Sequence, residues 1–215
     1  MLAPINELYQ KINGRDVYIV GGGPSLKNVD ISLLKNEKII TINNAYKLFE
    51  HAEALYWCDP GWADRHYRLL GAHPCKLRFK AMVSHIVSNI RGVHNEITLN
   101  KTGDFGYDPN QINVRGNNGG VQCLHLIINM KPKRIFLLGY DMKLIDRQTH
   151  WHNEHTGNPV TTSIYNNLFI PSMESLALEI KKYRDIPEIV NLSAESALTC
   201  FPKDKIENYI KNPMV

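Results

Sequence analysis

His150, His152 and His155 cluster in one polar stretch that also carries Arg147 and Trp151. An imidazole with an unperturbed pKa near ~6.5 can take a proton from an acceptor hydroxyl, so each of the three is a candidate general base. The His-x-His-x-x-His spacing also permits a metal site but lacks the stricter spacing of known zinc motifs, and no metal ligand is assigned from it. Solvated loop histidines are the bland alternative.

A second chemistry-bearing stretch is Gly21, Gly22 and Gly23, which ends the apolar burst Val17, Tyr18, Ile19, Val20 and leads into Pro24 and Ser25. Three residues without Cβ let the backbone approach a ligand, and their amides can converge on a phosphate. Pro24 cannot donate, and Ser25 adds a hydroxyl at the mouth. The run has neither the Gly-x-Gly-x-x-Gly spacing of dinucleotide folds nor a Gly-Lys-Ser/Thr, so both of those phosphate loops fit poorly. Polar residues recur after later apolar runs: Asn43 and Asn44, which can hydrogen-bond a ribose or base, then Asp59, then Asn118 and Gly119, then Gly139, Tyr140 and Asp141. Turns are polar anyway, but a ligand site at the carboxyl edge of a parallel sheet requires this recurrence.

The elements that must position these residues follow from apolar periodicity. Ile5, Leu8, Tyr9 and Ile12 mark an amphipathic helix stopped at Asn13 and Gly14, expected at a sheet edge. Strands are expected at Asp16–Val20, Lys38–Ile42, Ala54–Cys58, Cys75–Phe79, Arg134–Leu138 and Glu188–Leu192. Helices are expected after Asp30, over Trp62–Leu70, Val121–Met130 and Ser172–Arg184, and after Pro202. Residues 85–118 read as a long functional loop with only Glu96–Leu99 as a candidate strand, and residues 142–158 read as a lid. The pattern predicts an α/β fold: a Rossmann-like, mostly parallel twisted sheet with helices on both faces and a lid-like insertion. Residues 1–215 are expected to form one nucleotide-binding domain.

With 43% hydrophobic and 21% charged residues the chain has a globular rather than a disordered composition. No apolar run approaches the ~20 residues of a membrane span, and Met1–Glu7 lacks the features of a signal peptide, so a cytoplasmic protein is expected. Cys58, Cys75, Cys123 and Cys200 form no Cys-x-x-Cys pair and read as reduced thiols. The net charge of +4 suits a phosphate-bearing substrate and tolerates nucleic acid without demanding it.

The segments 17–26, 41–46, 56–60, 119–121, 135–141 and 189–198 resemble, in order, the bacterial lipooligosaccharide sialyltransferases. The same skeleton resembles the 6-hydroxymethylpterin diphosphokinase (MptE-like) proteins, whose Gly-x-Asp and later Thr-His are echoed by Gly139-Tyr-Asp141 and Thr149-His150. The first resemblance implies that Gly22, Gly23, Ser25, Asn43 and Asp59 hold a nucleotide-sugar, with Asp59 standing where those enzymes have an amide. It also puts Phe169 where their catalytic histidine belongs. The second resemblance makes His150 the first choice of base, with His155 and Asp141 as further catalytic candidates.

Three functions follow as expectations. A glycosyltransferase would move a sugar from a nucleotide-activated donor to a hydroxyl acceptor, using Asn43, Asn44, Asn118 and Gly119 on the nucleotide and Arg115 or Arg147 against phosphate charge. The acceptor could be a glycan or a hydroxymethylated base in nucleic acid, the latter resting on Trp57, Trp62, Tyr67 and Trp151 as exposed aromatics. A diphosphokinase would use ATP and magnesium on a hydroxymethyl heterocycle, with Asp59 and Asp141 as ligands. A nucleotide-binding module without turnover is the third, and Phe169 is its best argument.

Overall fold

The computed structural model describes residues 2–82, 96–154 and 160–210. Eight strands, β1 (Asp16–Val20), β2 (Lys38–Ile42), β3 (Ala54–Trp57), β4 (Arg78–Met82), β5 (Glu96–Gly103), β6 (Asn113–Arg115), β7 (Arg134–Leu138) and β8 (Glu188–Asn191), form one sheet. Its order is β6-β5-β4-β3-β2-β1-β7-β8 and every pairing is parallel. The fold is thus a Rossmann-like α/β sheet, wholly rather than mostly parallel.

Alternate residues of each strand enter two separate cores, because successive side chains of a strand point to opposite faces. Val17, Ile19, Ile40, Tyr56, Ile135 and Leu137 face α1 (Ala3–Ile12), α3 (Gly119–Asn129) and α4 (Ile170–Ile180). Tyr18, Val20, Ile39, Leu55, Trp57, Phe136 and Leu138 face α2 (Pro60–Ala72) and the short 3-10 turns at Pro24–Asn28, Ile31–Leu34 and Asn43–Leu48. Coverage on both sides is why the inner strands read as unbroken apolar runs. The amino-terminal helix lies on the first face, with Ile5, Leu8 and Ile12 fully buried beside Val17 and Ile19, and not at a sheet edge.

The chain builds β1 to β6 outward in one direction and then crosses through α3 to β7, on the other side of β1. A topological switch point therefore lies between β1 and β7, where open α/β sheets bind ligands beyond the carboxyl ends of the strands. Val20 pairs with both Thr41 and Leu138, so the exits of β1, β2 and β7 are level.

Three expected elements differ. The fourth strand starts at Arg78, because Arg78 is buried and donates to the carbonyls of Leu70, His73 and Cys75, holding 73–77 as a turn. The candidate strand at Glu96–Leu99 is β5, which runs on to Gly103, while β6 at Asn113–Arg115 falls where only loop was expected. The closing helix after Pro202 shrinks to a 3-10 turn at Ile206–Asn208.

The β6 region is held by a buried histidine from α3. His125 Nδ1 accepts the Arg115 amide at 2.7 Å, so in the neutral ring Nε2 carries the proton and donates to Asp108 O at 2.8 Å. Burial pushes the pKa of His125 below its usual 6.5, as it does for His66 and His73. The unfolded chain thus takes up protons that the folded chain refuses, and this contribution to stability is lost as pH falls through about 6.5. Thermal melts should show Tm dropping from pH 7.5 to 5.5. His125→Gln, which keeps an acceptor and a donor but does not titrate, should make that drop shallower; an unchanged slope would count against the assignment.

Candidate active site

A cavity of about 240 Å³ lies at the switch point. Of the residues expected to bind or react, Gly22, Gly23, Asn43, Asn44, Asp59, Asn118, Gly119, Asp141, His150 and His152 line it.

The glycine loop is used differently from the expectation of a phosphate nest. Gly21 N donates to Leu138 O (2.8 Å), Gly23 N to Gly139 O (2.9 Å) and Ser25 N to Asp141 Oδ2 (3.0 Å). Among the described residues only the Gly22 amide in this loop lacks a partner, Pro24 having none to give. A Cβ on Gly23 would stand 2.0 Å from Asp141 Oδ2 and 2.6 Å from Gly139 O, and one on Gly21 would stand 2.9 Å from Gly139 O. The glycines at 21 and 23 let the exits of β1 and β7 touch; Gly22 faces the cavity and the lid. Ser25 is not a lining residue but a clamp on Asp141, with its hydroxyl 3.5 Å from that of Ser193.

Asp141 is 2% exposed and its Oδ1 is buried without a hydrogen-bond partner. Burial raises its pKa, with the Ser25 bonds pulling weakly the other way. Buried carboxylate oxygens are rarely left unpaired, so this atom marks a place where a ligand donor belongs. The exit carrying it is fixed from behind: Tyr140 N donates to Ser193 Oγ (3.0 Å), Ser196 Oγ to Tyr140 O (2.6 Å) and Ala197 N to Asp141 O (2.8 Å).

The β2 exit supplies a second such oxygen. Asn43 adopts φ 49°, a left-handed conformation uncommon outside glycine, and its Oδ1 is buried and unpartnered. Asn44, by contrast, is fully engaged. Its Oδ1 accepts from Trp62 Nε1, and its Nδ2 contacts His152 Nδ1 (3.3 Å) and Glu154 Oε2 (3.2 Å). It holds the lid rather than a ribose.

Two helices aim their amino ends into the cavity. Asp59 caps α2, accepting Gly61 N at 2.8 Å, and its Oδ2 is 3.8 Å from Arg65 Nη2. Asn118 caps α3, accepting Gly120 N (2.9 Å) and Val121 N (3.1 Å), with Gly119 packed on Ile42 and Cys58. The positive end of α3 is suited to an anion.

The described part of the lid, residues 142–154, is docked over the cavity. Trp151 N donates to Gly22 O (3.0 Å), Lys27 bonds Gln148, and Lys47 pairs with Glu154. Ile145 and Gln148 bridge a tight turn in which Asp146 and Arg147 both take positive φ, which puts Arg147 at the tip and away from the cavity. His150 lies against Gly22, with Nδ1 2.7 Å from Thr149 Oγ1. His155 lies outside the described residues.

No protein-family model, curated protein or solved structure matches this chain. The cavity itself therefore carries the functional reading.

Other expectations are corrected. Arg115 is not in the cavity; its guanidinium bonds Thr102 Oγ1 and Phe105 O. The cation that lines it is Arg65, three residues after Trp62 on the same face of α2, a spacing visible in the sequence. Trp57 and Trp62 are buried and Trp151 is half-buried, so these three are not the exposed aromatics expected of a nucleic-acid acceptor site; the Tyr67 side chain lies outside the described set. Tyr165 and Phe169 also line the cavity, from a π-helical turn at Tyr165–Phe169, a distortion often found at functional sites. Among the described residues no helix is long and apolar enough to cross a membrane.

Proposed function

We propose that this protein is a glycosyltransferase moving a sugar from a nucleotide-activated donor to a hydroxyl acceptor. The observation that carries the reading is Asp141, a buried carboxylate with an unpartnered Oδ1, lining a cavity that also borders the Gly22 amide and the amino end of α3. A carboxylate whose pKa is raised by burial is a competent base for a hydroxyl proton. In the step proposed, the acceptor oxygen attacks the anomeric carbon, the bond from that carbon to the phosphate oxygen breaks, and the hydroxyl proton passes to Asp141. The nucleotide leaves with the bond electrons, its charge met by the Gly22 amide and by the positive end of the α3 dipole. The His150 imidazole, packed on Gly22, belongs to the phosphate side of this arrangement rather than to the acceptor side. The docked lid excludes water, which would otherwise hydrolyse the donor.

The diphosphokinase reading is less well supported: Asp59 Oδ1 is taken by the cap of α2 and Asp141 Oδ2 by Ser25, which leaves one oxygen on each for magnesium. Among the described residues no group of three His, Cys, Asp or Glu is placed to hold a metal ion.

A thermal-shift screen tests the choice. A nucleoside-diphosphate sugar at about 100 times its Kd should raise Tm by roughly 5 °C or more, while ATP with magnesium should not. Stabilisation by ATP with magnesium-dependent release of AMP would reverse the assignment.

A further inference from the structure

We infer that the hydroxyl acceptor is held by Tyr165 against an apolar wall of the cavity and is an alcohol carried on an apolar body rather than a glycan, an inference that rests on the transfer reading above. The lining divides by chemistry. Asn44, Arg65, His152 and Glu154 give it a polar side towards α2 and the lid. Met142, Val160, Tyr165 and Phe169 give it an apolar side, and all four belong to or pack on the core that faces α3 and α4.

Three of the four reach the cavity from one segment. Val160 precedes Thr161, whose side chain caps a single helical turn at Thr162–Ile164 by accepting Ile164 N at 3.3 Å, and the π-helical turn at Tyr165–Phe169 follows. The Tyr165 and Phe169 rings meet edge to face with their centroids 5.7 Å apart. Asn117 Nδ2 donates to Leu168 O at 2.6 Å, which ties this turn to the loop just ahead of α3. Met142 directly follows Asp141. The wall is therefore anchored beside both the proposed base and the amino end of α3.

Tyr165 is 7% exposed, and among the described residues its hydroxyl has no hydrogen-bond partner. Burial pushes its pKa up to about 12 and the Asp141 charge adds to the rise, so the oxygen keeps its proton and lies within electrostatic reach of the carboxylate. A buried hydroxyl is rarely left unpaired, so a ligand oxygen belongs there. In the transfer step the acceptor oxygen gives its proton to Asp141 and takes a hydrogen bond from Tyr165, whose own proton stays in place. The rest of the acceptor then meets Met142, Val160 and Phe169. A glycan would set hydroxyls against these side chains, where each loses its bonds to water without gaining a partner, whereas an apolar body loses nothing. One unsatisfied hydroxyl of this kind costs roughly tenfold to a hundredfold in affinity.

Fluorine NMR of 4-fluorobenzyl alcohol with the whole chain tests the subsite without any donor. The probe should bind with a Kd of about 1–10 mM, the range expected of so small a ligand, and 1-hexanol should displace it while methyl glucoside and glycerol should not. The tighter of the aryl and alkyl alcohols then tells whether the acceptor body is a ring or a chain. Tyr165→Phe should weaken the probe about threefold to tenfold with Tm unchanged, because the oxygen it removes bonds nothing among the described residues. Phe169→Ala should abolish saturable binding. Equal or tighter binding of methyl glucoside, or a probe affinity untouched by Tyr165→Phe, would overturn the inference while leaving the donor site in place. Probe binding as expected, in a chain that no nucleoside-diphosphate sugar stabilises, would keep the subsite and remove the transfer reading.

Discussion

Gly23→Ala is expected to cost at least about 3 kcal/mol of stability, lowering Tm by roughly 6 °C or more in a chain of this size. The added methyl has nowhere to go. It would stand 2.0 Å from Asp141 Oδ2 and 2.6 Å from the Gly139 carbonyl, and one of these is backbone already bonded to Gly23 N at 2.9 Å. Relief requires the exits of β1 and β7 to separate, which breaks that bond and the one from Ser25 N to Asp141. Gly22→Ala makes the control. Its methyl would meet only the His150 ring, at 3.0 Å, and a side chain on a lid can yield, so the cost in stability should stay below about 1 kcal/mol. Urea and thermal unfolding of the two variants give the comparison. Near-wild-type stability for Gly23→Ala would mean that the two strand exits do not need their close approach.

The central strands were legible because both faces of a parallel sheet are covered, which turns β1, β2, β3 and β7 into apolar runs that no other element explains. Outer strands gave a weaker signal. In β5, Ile97 and Leu99 alternate with exposed Thr98 and Asn100, and the short β6 buries only Val114, its backbone being satisfied by His125 from a helix ten residues on. Long-range side-chain bonds of that kind leave no periodicity to read.

The same limit applies to the site. That Asn43, Asp59 and Asp141 follow strands was visible, and so was their convergence on one edge. Which of their oxygens are engaged was not. Ser25 and Asp141 are 116 positions apart, and only folding reveals that the serine amide clamps the carboxylate. Asp59 is a different case, since Asp followed by Pro at the first helical position is an amino-cap signature that placed α2 two residues earlier than apolar periodicity did. Arg115 misled because charge was weighed without the face that would carry it.

Asp141→Asn should reduce kcat by about 10³-fold or more while leaving donor affinity within about threefold, because it removes the proton acceptor without emptying its space. The fold should survive: an asparagine carbonyl can still accept Ser25 N, and the variant no longer buries a charge, so Tm should hold or rise. The pH profile separates this role from a structural one. In the wild type the rate should fall as pH is lowered through a pKa raised by burial above the usual aspartate value, since protonation of the base removes it from the reaction. In Asp141→Asn that acid limb should vanish from the residual activity. His150→Gln should do less to the chemical step, about tenfold to a hundredfold, and should weaken donor binding alongside, because its ring lies against Gly22, whose amide is proposed to meet the phosphate. If His150→Gln instead abolishes turnover at unchanged donor affinity, and Asp141→Asn keeps both its rate and its acid limb, the proton goes to the lid and the carboxylate is only a brace between two strands.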